Sequence, residues 1–128
     1  MDTRGKIVDL AQAGTIAAGW RSRGVQWKLV AGYFDVLTAD HVRAMRALAD
    51  GTPLMAAVLD PPDPLLPSGA RAELAASLSM LDYVLLLEGS ALEQALAELR
   101  PDEVVRAEIA DRQRSAALIE HVHRRQKS

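Results

Sequence analysis

The chain has 128 residues, 49% of them hydrophobic and 25% charged, and a formal net charge of -2 from 15 basic and 17 acidic side chains. Such a chain fits a single globular domain over 1–128 with a modest core; it is not a disordered composition, and it carries no charge excess that would draw nucleic acid. The absence of cysteine excludes disulfides, thiolate nucleophiles and cysteine metal sites, and fits a cytoplasmic setting.

The opening residues, MDTRGKIVDLAQAG, place acids before any apolar run and do not read as a signal peptide. No apolar run reaches the roughly 18 residues that a membrane span needs. From Asp2 to about Ser22, Ile7, Leu10, Ala11, Ile16 and Ala17 form an imperfect helical stripe, and Gly24 is a plausible stop. Trp27 to Ala31 (WKLVA) reads as the first strand, central in a sheet, with the strand ending near Tyr33-Phe34. From His41 the pattern turns helical through Val42, Met45, Leu48 and Ala49, with Thr38 placed to cap the helix. Gly51 and Pro53 punctuate it.

Leu54 to Leu59 (LMAAVL) is continuously apolar, as a strand covered on both faces would be. Asp60 to Gly69 (DPPDPLLPSG) has to be a loop, because its prolines remove donors and fix φ. A helix follows to about Met80, with Leu74, Leu78 and Leu81 as its inner face, and then a strand, Asp82 to Leu87. Ser90-Ala91-Leu92-Glu93 has the form of a capping box for a helix carrying Leu92, Leu96 and Leu99. Glu103 to Arg106 is a short fourth strand, and a last helix from Asp111 carries Ala117, Leu118, Ile119 and Val122 on its apolar side. A helix followed by four alternating strand-helix units predicts an α/β fold: a Rossmann-like, three-layer α/β/α sandwich around a small parallel sheet. So small a sheet makes a homodimer plausible.

The chain has neither GxxxxGK[ST] nor GxGxxG, so the P-loop and the dinucleotide fingerprint are absent. The turn after the first strand is the informative stretch, since backbone donors at a helix start there can bind phosphate. His121 and His123 are two apart on a helix and do not face each other. Asp60 and Asp63 sit in a loop suited to a cation, but paired loop acids are common. Trp20 and Trp27 read as packing residues.

AGYFDVLTADHVRAMRALAD resembles the start of the cytidylyltransferase-like nucleotidylyltransferases, of the ADP-heptose synthase and glycerol-3-phosphate cytidylyltransferase type. Their signature there is roughly NGCFDLLHxGHxxxL. The likeness continues in RAELAASLSMLDYVLLLE, LRPDEVV and RSAALIEHV, so that residues 6 to 124 can all be placed. The resemblance implies transfer of a nucleotidyl group from ATP or CTP to a sugar phosphate or alcohol phosphate, with release of pyrophosphate, Mg²⁺ accompanying an active enzyme, and a dimer. It carries a nucleotide site onto Phe34, Asp35, Thr38, Asp40, His41, Arg71, Arg106 and Ser115, with His41 and Arg106 as the catalytic pair. No protein metal site is expected.

The HxGH positions hold Thr38, Ala39, Asp40 and His41, so one histidine of the two remains. Thr38 can donate a hydrogen bond but carries no positive charge. Asp40 puts a carboxylate where the glycine lets phosphate approach, and is expected to suit the helix N-terminus and fill the anion site itself. Arg106 stands at the family's lysine and Ala107 at the following glycine. Ser115 keeps a late hydroxyl. Arg71 either supports the site or solvates its helix, while Asp35 also reads as a local turn residue. Three readings follow: a catalytically impaired domain that binds a nucleotide or phosphorylated ligand, an active nucleotidylyltransferase, and a non-catalytic assembly module.

Overall fold

A computed structural model describes residues 3–35, 37–87 and 91–107. A 3₁₀ turn (Thr3–Lys6) leads into a two-residue strand, β1 (Ile7–Val8), and helix α1 (Leu10–Ser22). Then follow β2 (Lys28–Gly32), α2 (Ala39–Ala49), β3 (Leu54–Val58), α3 (Ser68–Ala76), β4 (Tyr83–Leu86), α4 (Leu92–Leu99) and β5 (Glu103–Arg106). Every strand pair is parallel, and the order across the sheet is β1-β4-β3-β2-β5. The Rossmann-like α/β/α arrangement expected from the alternating pattern is therefore the one formed.

The first helix begins later than its stripe suggests. Ile7 and Val8 are adjacent β-branched residues, and they pair with Val84 and Leu85 to make an edge strand. Asp9 then fixes the start of α1. Its carboxylate accepts from the Gln12 N–H (2.8 Å), and the Gln12 side chain accepts from the Asp9 N–H (2.9 Å). This reciprocal box satisfies two helix-start donors and stops the helix from propagating backward. The sheet thus has five strands where four were expected.

Alternation along the strands builds two cores. Leu29, Ala31, Met55, Ala57 and Leu85 face α1 and α4, where Ala13, Ala17, Trp20, Ala95 and Leu99 cover them. Val30, Leu54, Ala56, Val58 and Val84 face the other way, under Met45 and Ala49 of α2 and Ala72, Ala75 and Ala76 of α3. β3 is buried along its whole length, as a continuously apolar run should be. Helix α3 is shorter than expected and buries Arg71, Ala72, Ala75 and Ala76. Of the leucines expected on its inner face, Leu81 is buried beyond the helix end, and Leu74 and Leu78 are only half-buried. Small alanines let this helix sit close to the sheet, so the bulkier leucines fall to its flanks. Ser90 of the expected capping box lies outside the described residues; α4 starts with Ala91 as its N-cap, and no side chain caps it.

The amino ends of the strands are joined by two matching clips. Asp82 donates its N–H to the Leu54 carbonyl and accepts the Leu54 N–H on its carboxylate (2.8 Å). Asp102 does the same with Trp27, donating to its carbonyl and accepting its N–H (2.8 Å). Each aspartate closes the end of one parallel ladder where a sheet would otherwise fray. Either residue changed to alanine is expected to lower stability by about 1–2 kcal/mol, read as a shifted urea midpoint at constant slope. A loss no greater than that of Asp63→Ala, in the exposed part of the proline loop, would show that the clips carry no weight.

Candidate functional site

The sheet grows from β2 in both directions, with β3 and β4 on one side and β5 on the other. In open parallel sheets the crevice outside the carboxyl ends of the strands, at such a reversal, is where ligands bind. Here that place is framed by Tyr33, Phe34 and Asp35 after β2, by Ala107 after β5, and by the first turn of α2. The Ala107 N–H donates to the Ala31 carbonyl (2.7 Å), and the Leu59 N–H to the Gly32 carbonyl (2.9 Å), so both neighbours are fastened to the end of β2.

Phe34 turns the chain off the strand with φ at 55°, in the left-handed region. A residue with a Cβ is rarely held there, and the cost is on the order of 1–2 kcal/mol. Its side chain is fully buried, and its ring centroid lies 5.9 Å from that of His41. Phe34 therefore lies beneath the site rather than at its surface.

Asp35 follows, 6% exposed, and its two carboxylate oxygens accept the N–H groups of Leu65 (2.6 Å) and Leu66 (2.8 Å). Arg71 is 1% exposed. Its Nη1 donates to the Tyr33 and Leu59 carbonyls, its Nε to the Leu66 carbonyl (3.2 Å), and its Nη2 to the Asp60 carboxylate (2.8 Å). One guanidinium thus ties the carboxyl ends of β2 and β3 to both ends of the proline-rich loop. Burial rules out the role of Arg71 in solvating its helix. The bonds of Asp35 span 30 and 31 residues and are not those of a local turn. Asp60, weighed as a cation ligand, is the partner of Arg71. No sequence signal could have pointed to the Leu65 and Leu66 amides, since backbone donors are common to every residue.

Thr38 caps α2, its hydroxyl oxygen accepting the His41 N–H (3.2 Å). The Asp40 side chain is 88% exposed and ion-paired with Arg43 on the same helix. It does not accept from the first turn, so the expectation that it fills the anion site is corrected. Thr38 already occupies the capping role, and the guanidinium one turn away draws the carboxylate outward. His41 is buried at 6% exposure and faces the sheet. Arg106 donates to the Glu93 carboxylate of α4 (2.9 Å). Along β5, Val105 packs with the α2 and α3 core and Val104 with the opposite core. Arg106 therefore sits on the α4 side, across the sheet from His41.

Ser115 lies outside the described residues, as do His121, His123 and the expected last helix. Among the described residues no three or more His, Cys, Asp or Glu side chains are grouped as a metal ion would need. No helix among them is long and apolar enough to cross a membrane.

No family model matches the chain. It is similar to one segment of the bifunctional protein HldE of Caulobacter vibrioides, 33% identical over 111 residues covering 79% of this chain and 23% of that protein. The HldE of Acidiphilium cryptum is 29% identical over 111 residues, with the same coverage of 79% and 23%. The chain therefore spans about a quarter of the length of the curated relatives that it matches. The crystal structure of the lipopolysaccharide core biosynthesis protein from Thermoplasma volcanium superposes with a TM-score of 0.58 at 19% identity, over 63% of this chain and 73% of that one. That likeness is one of fold. The sequence likeness makes the chain a diverged homologue, at moderate identity, of one part of the HldE-type proteins.

Proposed function

We propose, from that homology, that the chain is a diverged nucleotidyltransferase-like domain. It binds a nucleotide or another phosphorylated small molecule at the carboxyl ends of β2 and β5, and it no longer transfers a nucleotidyl group efficiently. The observation that most supports this is the state of the α2 start: Thr38 is spent as a cap, Asp40 faces solvent against Arg43, and His41 is the one imidazole left at the motif. Transfer of a phosphoryl-type group depends on charge stabilisation by positioned donors. Loss of one such donor costs about 10²–10³ in rate. Here a histidine and the glycine that admits the phosphate are both replaced, and Arg106 is engaged with Glu93 on the far side of the sheet.

The test is calorimetric titration with ATP and CTP, with and without Mg²⁺, followed by a pyrophosphate assay in the presence of a sugar phosphate. Saturable binding without multiple-turnover pyrophosphate release is the expected result. Sustained pyrophosphate release would overturn the loss of catalysis, and absence of binding to either nucleotide or to the sugar phosphate would overturn the ligand. Because Asp40 is exposed and already neutralised locally, Asp40→Gly is expected to change triphosphate affinity by less than about fivefold. A much larger gain would mean that the carboxylate had been competing for the anion.

A further inference from the structure

The two halves of the loop after β3 are held differently. The back half is fastened at its main chain: the Leu65 and Leu66 N–H groups donate to Asp35, and the Leu66 carbonyl accepts from Arg71 Nε. The front half, 60–64, contains Pro61, Pro62 and Pro64, which have no N–H to give. Among the described residues, what holds it is the bond from Arg71 Nη2 to the Asp60 carboxylate (2.8 Å). This pair stands at the carboxyl ends of β2 and β3, because the same guanidinium reaches the Tyr33 and Leu59 carbonyls. It is lopsided: the Arg71 side chain is 2% exposed and that of Asp60 43%. A guanidinium buried so deeply needs a counter-charge, and the carbonyls on Nη1 and Nε are neutral. Asp35, which shares Leu66 with Arg71, is spent on two amides. The counter-ion on Nη2 is therefore the half that solvent reaches and that another anion can replace.

We propose that the Asp60 carboxylate is an internal stand-in for the phosphate of the ligand. A phosphate monoester arriving over the strand ends takes the place of Asp60 on Arg71 Nη2, and residues 60–64 swing free while 65–67 stay fastened. The exchange presupposes the phosphorylated ligand proposed above, and specifies both the group that is recognised and the contact that opens for it. Such a monoester carries about 1.5 to 2 negative charges near neutral pH and three acceptor oxygens, against the single charge of a carboxylate. Its bonds to a guanidinium are of the strong, charge-assisted kind. The front half of the loop loses no main-chain hydrogen bond in the exchange, since it makes none among the described residues. The pair also sets the apparent affinity, because an internal anion weakens ligand binding in proportion to the fraction of time that it leaves Arg71 open.

The chain has no cysteine, so a nitroxide can be attached at Asp63→Cys or, separately, at Leu65→Cys. Inorganic phosphate at constant ionic strength is expected to turn the label at position 63 from restricted to mobile along a saturable curve, and to leave the label at position 65 unchanged. In calorimetric titration Asp60→Ala is expected to tighten phosphate binding about tenfold. Asp63→Ala, which removes an exposed acid from the same loop, is expected to change it by less than about twofold. Equal gains from the two substitutions would reduce the effect to net charge and overturn the proposal. A label at position 63 that stays restricted at every phosphate concentration would overturn it as well, and this arm keeps the native Asp60, so it decides even where Asp60→Ala does not fold. ATP or CTP bound with that label still restricted would overturn the exchange while leaving the nucleotide reading in place.

Discussion

Replacing Arg71 with methionine is expected to destabilise the protein by about 3–5 kcal/mol, the largest effect of any polar substitution here. Methionine keeps the bulk but removes every donor. The buried bonds to the Tyr33 and Leu59 carbonyls are then lost, together with the half-buried one to Leu66, and each buried orphan costs about 1–3 kcal/mol. Asp60 contributes less to the loss, because its side chain is 43% exposed and is partly solvated already. Arg71→Lys is expected to recover only a minor part: an ammonium is a point donor and cannot span four acceptors as a planar fork does. Urea unfolding measures the loss. Limited proteolysis between residues 60 and 67 gives the local readout, because the loop is held through Leu66 and Asp60. A loss under about 1 kcal/mol with an uncleaved loop would remove Arg71 as the post on which this end of the sheet is built.

Phe34→Ala is expected to cost a comparable amount, about 3–5 kcal/mol. The ring is fully buried among α2 and the strand ends, so its removal leaves a cavity that the flanking strands cannot close. The left-handed backbone at this position remains strained in alanine, so the substitution brings no compensating relief. Phe34→Gly separates the two contributions: it loses the same ring but relaxes the backbone, and is expected to be less damaging than alanine by up to about 1 kcal/mol. Glycine worse than alanine would show that the turn is not strained. Either variant is also expected to disturb the packing of His41, whose ring lies over Phe34.

The elements that the sequence revealed best were those whose pattern matched a single environment. LMAAVL is apolar without interruption because β3 is covered on both faces. Thr38 marked the start of α2 because a hydroxyl before a helical stripe has few other uses. The strand Ile7–Val8 was hidden for the opposite reason. Two residues are too few to show alternation, and both fit the helical stripe that continues into α1. The Asp9 and Gln12 box was the signal that separated them. At the site, residue types were legible but their partners were not. Asp35 read as a family match or a local turn residue and Arg71 as either a support of the site or a solvating residue, yet most of what they bind is backbone, of the proline loop and the strand ends, and backbone carries no sequence signature. The placement of Arg106 across the sheet from His41 follows from strand alternation, which four residues of β5 were enough to show once the register was fixed.

Both tryptophans of the chain, Trp20 and Trp27, are in contact with centroids 5.3 Å apart and ring planes tilted by 41°, and the Tyr83 ring centroid lies 5.9 Å from that of Trp20. This places the whole indole signal in the core beneath α1 and α4, at the amino ends of the strands, away from the turn after β2. Intrinsic emission therefore follows global unfolding with a large amplitude and is nearly blind to events at the carboxyl ends. A flat fluorescence titration is the trace that a bound ligand and an absent one would both produce, so occupancy of this protein has to be followed by heat, mass or nuclear resonance rather than by its own light.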